Sequence, residues 1–241
     1  LYLNQFQLYY QGKEFLPTNV PRWNLLRVII NNMKNLLILG AGGHGMVVAE
    51  LARLSGLYRN ISFLDDEIKN RSTTQLGQSI LGELNSFREN KFKNDYQEAI
   101  VAIGDSVLRV IKTRELLREG FNVPILKHPT SSISPNTNIE SGCVFMANSS
   151  IQTGCKIGLS CIINTGSCFD HFGKMLEGVH LCPGVNVAGN VNIGKNTWIG
   201  IGSSIIQNIN IGDSVTVGAG SVVIKDLEDN NTYFGIPAKK K

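Results

Sequence analysis

Residues 181–205 read LCPGVNVAGNVNIGKNTWIGIGSSI, and this stretch carries the pattern that decides the fold. A large apolar residue returns at every sixth position, and we call these residues the anchors. The spacing holds without a failure from Ile133 to Val223. The anchors are Ile133, Ile139, Phe145, Ile151, Ile157, Ile163, Phe169, Met175, Leu181, Val187, Ile193, Ile199, Ile205, Ile211, Val217 and Val223. Mostly small or β-branched residues stand four positions after the anchors, so a second period accompanies the first.

A six-residue period predicts short strands, three of which make one coil of about eighteen residues. Each anchor then stacks on the anchor of the next coil, which gives a continuous apolar column. The length of the repeat predicts a parallel β-helix of roughly five coils. Several anchors are followed directly by glycine, where we expect backbone angles that are closed to other residues. These glycines are Gly158, Gly194, Gly200, Gly212 and Gly218.

The chain before the repeat alternates strand and helix patterns. An apolar run at residues 36–39 is followed by the turn GAGGHG at residues 40–45, a helical stretch through Leu54 and a second strand at 61–64. A strand at 99–103 and a helical segment through Leu117 come next. We therefore predict a small Rossmann-like α/β domain at residues 33–127 and an all-β domain at 128–241. Residues 1–32 lack a clear period and are interpreted as an extension with no role in the chemistry.

Composition excludes several classes of function. The net charge of +4 on 241 residues is mild and spread along the chain, which argues against nucleic-acid binding. The five cysteines form no CxxC pair, so neither a disulfide framework nor a thiolate zinc site is indicated. No apolar run is long enough to cross a membrane, and no signal peptide is recognised. We expect a cytoplasmic protein with free thiols and no membrane insertion.

Two of the four histidines lie inside the repeat. His171 and His180 are nine residues apart on positions that are not anchors, so both side chains should point outward from different sides of the prism. A joint site would form most easily where a neighbouring subunit packs against the prism. A third histidine at matched spacing, which a metal cluster would need, is missing from the repeat, so no metal is expected.

A set of motifs in this order resembles the bacterial sugar-nucleotide N-acetyltransferases and sialic acid O-acetyltransferases of surface-glycan pathways. The motifs are Gly40 to Gly45, Phe63 to Asp66, Ala102 to Gly104, His128-Pro129, Asn164 to Ser167, Asp170-His171, His180 to Gly184, Ala188 to Val191 and Gly235 to Lys239. The likeness is strongest to the UDP-4-amino-sugar N-acetyltransferases of bacillosamine biosynthesis. It implies a left-handed β-helix, a homotrimer and acetyl-CoA as co-substrate.

The resemblance also implies roles for individual residues. His171 would be the general base, since a neutral imidazole can take a proton from an amine that attacks a thioester. Asp170 is the candidate to orient its ring, and the amide of Gly189 is the candidate donor to the developing oxyanion. Residues expected to hold acetyl-CoA are His180, Gly189, Ala219, Gly235, Pro237 and Lys239. Residues expected to hold the nucleotide sugar are Gly43, His44, Gly45, Asp65, Asp66 and Asn164.

The expected reaction is N-acetylation of the 4-amino group of a UDP-linked 2-acetamido-4-amino-2,4,6-trideoxyhexose, giving UDP-N,N'-diacetylbacillosamine. GDP-perosamine and a hydroxyl of sialic acid are alternative acceptors. Phe172 stands where the family usually has an acidic or amide residue, and Met175 to Glu177 depart from the usual turn. A trimeric sugar-nucleotide-binding scaffold without turnover is therefore the non-enzymatic alternative. The GAGGHG turn also satisfies the dinucleotide pattern GxGxxG, but the short first domain favours a nucleotide sugar over NAD.

Overall fold

The computed structural model describes residues 33–241, so the extension expected over residues 1–32 lies outside the described part of the chain. An α/β region comes first and a long parallel β-helix follows. The elements of the α/β region are β1 (Lys34–Leu39), α1 (Gly43–Leu54), β2 (Tyr58–Leu64), 3-10 helices at Asp66–Lys69 and Leu84–Arg88, α2 (Asn90–Asp95), β3 (Glu98–Val101) and α3 (Ser106–Arg118). Between residues 33 and 241, no helix has the length and apolar character needed to span a membrane.

The α/β region is built on a three-stranded parallel sheet of order β2-β1-β3. Strand β1 is central, and its apolar residues alternate between two cores. Leu36 and Ile38 face one cluster of buried side chains, whereas Leu37 and Leu39 face the other. A continuous apolar run suits a strand that is buried on both sides. The predicted succession of strand, glycine turn, helix and strand is confirmed.

The β-helix consists of two-residue strands separated by turns, with a longer strand near the end. They are β4 (Leu126–Lys127), β5 (Ser132–Ile133), β6 (Asn138–Ile139), β7 (Val144–Phe145), β8 (Ser150–Ile151), β9 (Lys156–Ile157), β10 (Ile162–Ile163), β11 (Cys168–Phe169), β12 (Lys174–Met175), β13 (His180–Leu181), β14 (Asn186–Val187), β15 (Asn192–Ile193), β16 (Trp198–Ile199), β17 (Ser204–Ile205), β18 (Asn210–Ile211), β19 (Thr216–Val217), β20 (Val222–Val223), β21 (Thr232–Phe234) and β22 (Lys239–Lys240).

These strands form the three faces of a prism. Face 1 contains β4, β7, β10, β13, β16, β19, β21 and β22. Face 2 contains β5, β8, β11, β14, β17 and β20, and face 3 contains β6, β9, β12, β15 and β18. Every strand from β4 to β21 pairs in parallel with its neighbour on the same face, and only β22 is antiparallel to its partner.

The anchors stack as the repeat predicts. On face 1, Phe145 pairs with Ile163, which pairs with Leu181, and Leu181 pairs with Ile199. All four side chains are fully buried in one core that runs through the β-helix. Burying an apolar side chain of this size stabilises a fold by roughly 1.5–3 kcal/mol. The column is therefore the main source of stability in this part of the chain.

Three cysteines occupy small inward positions of the β-helix. Cys143, Cys155 and Cys161 are buried, and all five cysteines are free thiols. The Cys143 thiol donates to the carbonyl of Gly158 at 3.1 Å, which fixes it toward the next turn. Burial raises the pKa of the Cys143 thiol well above its ordinary value, so it packs as a neutral group.

The β-helix has about six coils rather than roughly five. The additional strand β4 lies before the first anchor and pairs with β7. The six-residue pattern missed it because the position paired with Phe145 is Lys127, which is exposed. At this end of the prism the apolar column stops, so a charged residue is tolerated.

The glycines that follow anchors are needed for a different reason from the one expected. None of Gly158, Gly194, Gly200, Gly212 and Gly218 has a positive φ. Instead, a Cβ atom at each would collide with the neighbouring coil. At Gly158 it would lie 2.7 Å from the backbone nitrogen of Glu177. The close spacing of the coils, and not the backbone angle, selects glycine here.

The outer side of face 1 is covered by the α/β region. Leu126, Val144, Met146 and Ile162 point away from the prism and join the buried cluster that contains Leu36. The carboxyl edge of the small sheet is thereby placed against the face that carries His180. An open cavity of about 610 Å³ on the other side of this junction is lined by Tyr58, Glu98 and Ile139 among others. It includes none of the residues expected to take part in the chemistry.

Candidate active site

His171 lies at the corner between face 2 and face 3, directly after β11. Its side chain is exposed, and its ring lies over Gly189 in the next coil. A Cβ atom at Gly189 would be 2.3 Å from Cε1, 2.6 Å from Nε2 and 2.8 Å from Nδ1 of the imidazole. The backbone carbonyl of His171 accepts a hydrogen bond from the amide of Asn190 at 2.9 Å. Only glycine at position 189 leaves room for this placement of the ring.

The amide of Gly189 has no hydrogen-bond acceptor among residues 33–241, although its carbonyl accepts from Asn208 at 3.1 Å. A free amide beside an exposed imidazole is the combination needed to stabilise an oxyanion while a proton is removed. The ring of His171 and the amide of Gly189 therefore lie side by side, and their catalytic roles stay a prediction.

No side chain in the described part of the chain hydrogen-bonds to the ring of His171. Asp170 Oδ1 accepts from the backbone nitrogen of His171 at 2.7 Å, so this carboxylate fixes the backbone rather than the imidazole. Glu177, the acidic residue that ends the altered turn, pairs with Arg114 and with Lys195 and is not available to the ring. The contact that the ring does make is edge-to-face with Phe172, at 5.5 Å between centroids.

His180 is outward on face 1, but it is largely covered by the α/β region. Its Nε2 atom lies 3.3 Å from the side-chain nitrogen of Asn164, and its ring meets Trp198 edge-to-face at 6.5 Å. Burial lowers the pKa of His180 to about 3, and the nearby charge of Arg109 and the ring of His44 act in the same direction. His180 is therefore a neutral hydrogen-bonding group. Trp198 was not anticipated from the sequence.

The glycine turn of residues 40–45 ends in the first turn of α1. The residue that precedes this helix is Gly42, which provides no side-chain cap. The amides of Gly43, His44 and Gly45 donate to no acceptor within residues 33–241. Free amides at the N-terminus of a twelve-residue helix are suited to bind a phosphate. Gly45 is required because a Cβ atom would lie 2.1 Å from the carbonyl oxygen of Gly40.

The two aspartates that follow β2 act on the backbone. Asp65 Oδ2 accepts from the amide of Ala41 at 2.5 Å, and Oδ1 accepts from Glu67 at 2.9 Å. Asp66 Oδ1 accepts from Leu84 at 3.0 Å. Asp65 thus ties the glycine turn to the end of β2, and this structural task uses both of its oxygens.

Arg71 is a cation beside the glycine turn that sequence reasoning missed. Its Nη2 donates to the carbonyl of Ala41 at 3.2 Å, whereas its buried Nε has no partner in the described chain. A guanidinium at this place is suited to an anionic ligand. It belongs to none of the recognised motifs, so its charge was the only signal in the sequence.

His44 turns toward the β-helix. Its Nε2 is buried and makes no hydrogen bond within residues 33–241. Burial is the main cause that lowers the pKa of His44 to about 4, and the charge of Arg109 acts in the same direction. The imidazole of His44 is neutral, lies near Arg109, and is close enough to His180 to lower the pKa of His180. The sequence had predicted that His44 contacts the nucleotide sugar.

The C-terminal segment closes the last coils of face 1. Lys239 belongs to β22, which is antiparallel to β21, and Lys240 pairs with Glu228 at 3.0 Å. Ala219, Gly235, Pro237 and Lys239 are all exposed, so they are accessible to a ligand at this end of the prism.

The candidate residues fall into two groups within one chain. His171 and Gly189 lie at the corner of faces 2 and 3, whereas His180 lies on face 1 beside Asn164 and the glycine turn. An open cavity of about 420 Å³ on face 2 is lined by Asp170 and Ala188, the neighbours of His171 and Gly189. No group of three or more His, Cys, Asp or Glu residues in the described ranges is arranged to hold a metal ion.

The β-helix carries an imidazole above a free glycine amide, and the α/β region before it has a glycine turn with free amides at a helix N-terminus. Together these features point to one class of protein. The class is that of the acyltransferases whose acceptor is attached to a nucleotide.

Comparisons with known proteins agree with this class. The family described as the PglD N-terminal domain matches residues 35–116. The acetyltransferase domain of PglB from Neisseria gonorrhoeae, solved in complex with acetyl coenzyme A, is 35% identical with a TM-score of 0.81, over 87% of this chain and 100% of that one. A mutant of perosamine N-acetyltransferase from Caulobacter crescentus, in complex with CoA and GDP-perosamine, is 32% identical with a TM-score of 0.81, over 86% of this chain and 96% of that one.

A GDP-perosamine N-acetyltransferase from Escherichia coli O157:H7 is 27% identical over 175 residues, which are 70% of this chain and 77% of that protein. The chain belongs to the left-handed β-helix family of sugar-nucleotide N-acetyltransferases. It is an acetyltransferase with acetyl-CoA as the acetyl donor, and the left-handed coil that the resemblance implied is confirmed.

Proposed function

We propose that this enzyme acetylates the 4-amino group of a UDP-linked 2-acetamido-4-amino-2,4,6-trideoxyhexose and releases UDP-N,N'-diacetylbacillosamine. The observation that carries the catalytic part of the proposal is the imidazole of His171 lying over the free amide of Gly189. The similarity to perosamine N-acetyltransferases supports a nucleotide-linked amino sugar as the class of acceptor, and the UDP-linked sugar rests on the resemblance of the motifs.

The proposed reaction is a direct transfer. The acceptor amine attacks the thioester carbonyl while His171 takes a proton from the nitrogen, so the new C–N bond forms without a charged amine. The carbonyl oxygen becomes an oxyanion, and the amide of Gly189 donates to it. Collapse of the tetrahedral intermediate breaks the C–S bond, and the proton on His171 passes to the departing thiolate. The products are an acetamide and free CoA thiol.

The nucleotide sugar would bind at the glycine turn. The free amides of Gly43, His44 and Gly45 suit a diphosphate, and Arg71 adds a positive charge beside them. Asp65 would act indirectly, since both of its oxygens hold the turn. Asp66 has one oxygen without a bond in the described chain and is the better candidate for a direct contact.

Acetyl-CoA would extend from Gly189 toward the exposed C-terminal residues, with Lys239 available to the 3′-phosphate. His180 and His171 lie on different faces of one prism, so a shared site requires a second copy of the chain. We therefore infer a homotrimer in which the base of one subunit completes the site of its neighbour. His180 and Asn164 would then contribute hydrogen bonds as neutral groups.

A GDP-linked 4-amino sugar is the second candidate acceptor, because the similar enzyme from Caulobacter crescentus was solved with GDP-perosamine. A hydroxyl of sialic acid is the third candidate acceptor. The similarity to acetyltransferases rules out the scaffold without turnover that Phe172 suggested from the sequence.

The deciding experiment follows release of CoA thiol from acetyl-CoA with UDP- and GDP-linked 4-amino sugars and sialic acid. Wild type is compared with His171→Ala and with His128→Ala, a histidine that lies outside both groups. We expect turnover of the UDP-linked sugar, a loss of about 10²–10⁴-fold in kcat for His171→Ala, and no change for His128→Ala. Exclusive turnover of the GDP-linked sugar would reject the UDP assignment. Binding of acetyl-CoA without turnover of any of these compounds would reject all three acceptors.

A further inference from the structure

Arg109 is a fully buried arginine on α3 that reaches across the junction with the β-helix. Its guanidinium makes five hydrogen bonds, four of them to backbone carbonyls. The acceptors are Ser160 O at 3.0 Å, Ile103 O at 2.9 Å, Gly104 O at 3.0 Å, Gly178 O at 2.8 Å and Ser106 Oγ at 3.4 Å. The planar group thus uses all of its donors on two different parts of the chain.

The charge of Arg109 is not neutralised by an ion pair within residues 33–241. Burial lowers its pKa to about 10, so the side chain remains protonated at neutral pH. A buried charge without a partner is costly and rare in proteins. The same junction also contains a neutral link, the 2.6 Å hydrogen bond between the hydroxyls of Thr113 and Ser160. Attachment of α3 to the prism therefore does not by itself require a charged residue.

The atoms that Arg109 holds lie at the candidate site. Ile103 and Gly104 follow β3 at the carboxyl edge of the sheet. Gly40 of the glycine turn lies very close to this edge, since a Cβ atom added at Gly40 would be 2.6 Å from the carbonyl oxygen of Ala102. Gly178 lies two residues before His180 on face 1. One side chain thereby joins the phosphate-binding edge to the strand of His180.

We propose that Arg109 is a positioning residue for acetyl transfer, which fixes the acceptor-binding edge of the α/β region against the strand that carries His180. The proposal rests on the function proposed above. The guanidinium touches neither substrate in this assignment and acts through Ile103, Gly104 and Gly178. Its charge also contributes to keeping the imidazoles of His44 and His180 neutral, since a positive neighbour lowers the pKa of each.

The test compares Arg109→Lys, Arg109→Met and the control Thr113→Val. Lysine keeps the charge but cannot span the same carbonyls, methionine removes both, and valine breaks the neutral link on the same helix. All kinetics are measured at a temperature where circular dichroism shows each variant folded. For both Arg109 variants we expect the KM for the sugar nucleotide to rise about 10-fold or more, with a smaller change for acetyl-CoA. For Thr113→Val we expect a lower Tm and unchanged kcat and KM.

A second readout does not depend on turnover. In Arg109→Met, NMR titration should show the pKa of His44 and His180 moving up from about 4 and about 3, because a positive neighbour is gone. Calorimetry with UDP and GDP should show weaker binding in both Arg109 variants. If the wild-type protein binds a nucleotide but acetylates no acceptor, the proposed function fails. The NMR and calorimetry measurements would still test the positioning role of Arg109. The proposal would be overturned if the Arg109 variants had a lower Tm but unchanged KM and nucleotide affinity, which is the result expected for Thr113→Val.

Discussion

Replacing Gly189 by alanine tests whether its contact with His171 places the base. The added Cβ atom would lie 2.3 Å from Cε1 of the imidazole, and ordinary contact begins at 3.4 Å, so the ring must move by about 1 Å. A displacement of this size costs on the order of 100-fold in rate, which is about 2.7 kcal/mol of transition-state stabilisation. His171 is exposed and can swing away, so the free energy of unfolding should change little.

Gly173→Ala is the matched control, since it adds the same methyl group to the same corner. Its Cβ atom would lie 2.4 Å from Cζ of Phe169, a fully buried anchor that cannot swing away. Overpacking of this kind costs typically 1–3 kcal/mol of stability, whereas kcat/KM per folded molecule should stay near wild type.

The assays are CoA thiol release and urea unfolding of both variants. The double variant of His171→Ala with Gly189→Ala should be no slower than His171→Ala alone, because the methyl group acts mainly through the ring. A Gly189→Ala enzyme with wild-type kcat/KM would refute the assigned role of this contact. Equal losses of stability in Gly189→Ala and Gly173→Ala would refute the claim that the ring yields.

Two further predictions concern stability. In the folded chain the pKa values of His44 and His180 are about 4 and about 3, below the ordinary 6.5. Between pH 6.5 and these values the unfolded chain therefore binds more protons than the folded chain. The free energy of unfolding must then fall as the pH drops from about 6.5 toward 4. In His180→Gln the slope of the free energy of unfolding against pH should shrink by up to about 1.4 kcal/mol per pH unit. Urea midpoints measured across the pH range give this slope, and an unchanged slope would contradict burial of a neutral imidazole. Phe172 has a φ of 56° at the corner where Asn190 and Asn208 have the same conformation, and it is 65% exposed. Phe172→Asn should therefore raise the free energy of unfolding by about 1 kcal/mol, and a lower Tm would show that its ring contributes more by packing over Gly154.

The β-helix could be predicted from the sequence because its information is local and repeated. The pairing of Ile163 with Leu181 and of Leu181 with Ile199 follows from a period of six and three faces. The pattern failed at the start of the prism, where Lys127 takes an anchor position in the outermost coil. Where stacking stops, the requirement for an apolar residue stops as well.

The environment of His180 could not be predicted in the same way. Its position in the period makes it an outward residue, and it is outward, but the α/β region covers face 1 at that point. A contact between regions that are distant in the sequence produces no periodic pattern of apolar residues. Arg109 was missed for a related reason, since the buried side of α3 includes Arg109 and Thr113 beside Val110 and Leu116, and this mixture does not resemble an apolar stripe.

Asp65 illustrates a third limit. A carboxylate after a strand and near a glycine turn suggests contact with a ligand, yet its oxygens hold the amides of Ala41 and Glu67. The residue type and spacing are the same for both roles. Only the direction of the side chain distinguishes a residue that binds the substrate from one that shapes the turn.

The repeat itself explains how the base and the oxyanion donor come together. His171 and Gly189 are eighteen residues apart, which is one coil, so the register that stacks Phe169 on Val187 also stacks the imidazole on the glycine. Their distance is set by the backbone bond from Asn190 to His171 and does not depend on the α/β region. The acceptor side is different, because the glycine turn reaches the prism only through the junction that contains Arg109. Loss of the Arg109 guanidinium should therefore weaken acceptor binding and leave the pairing of base and amide intact.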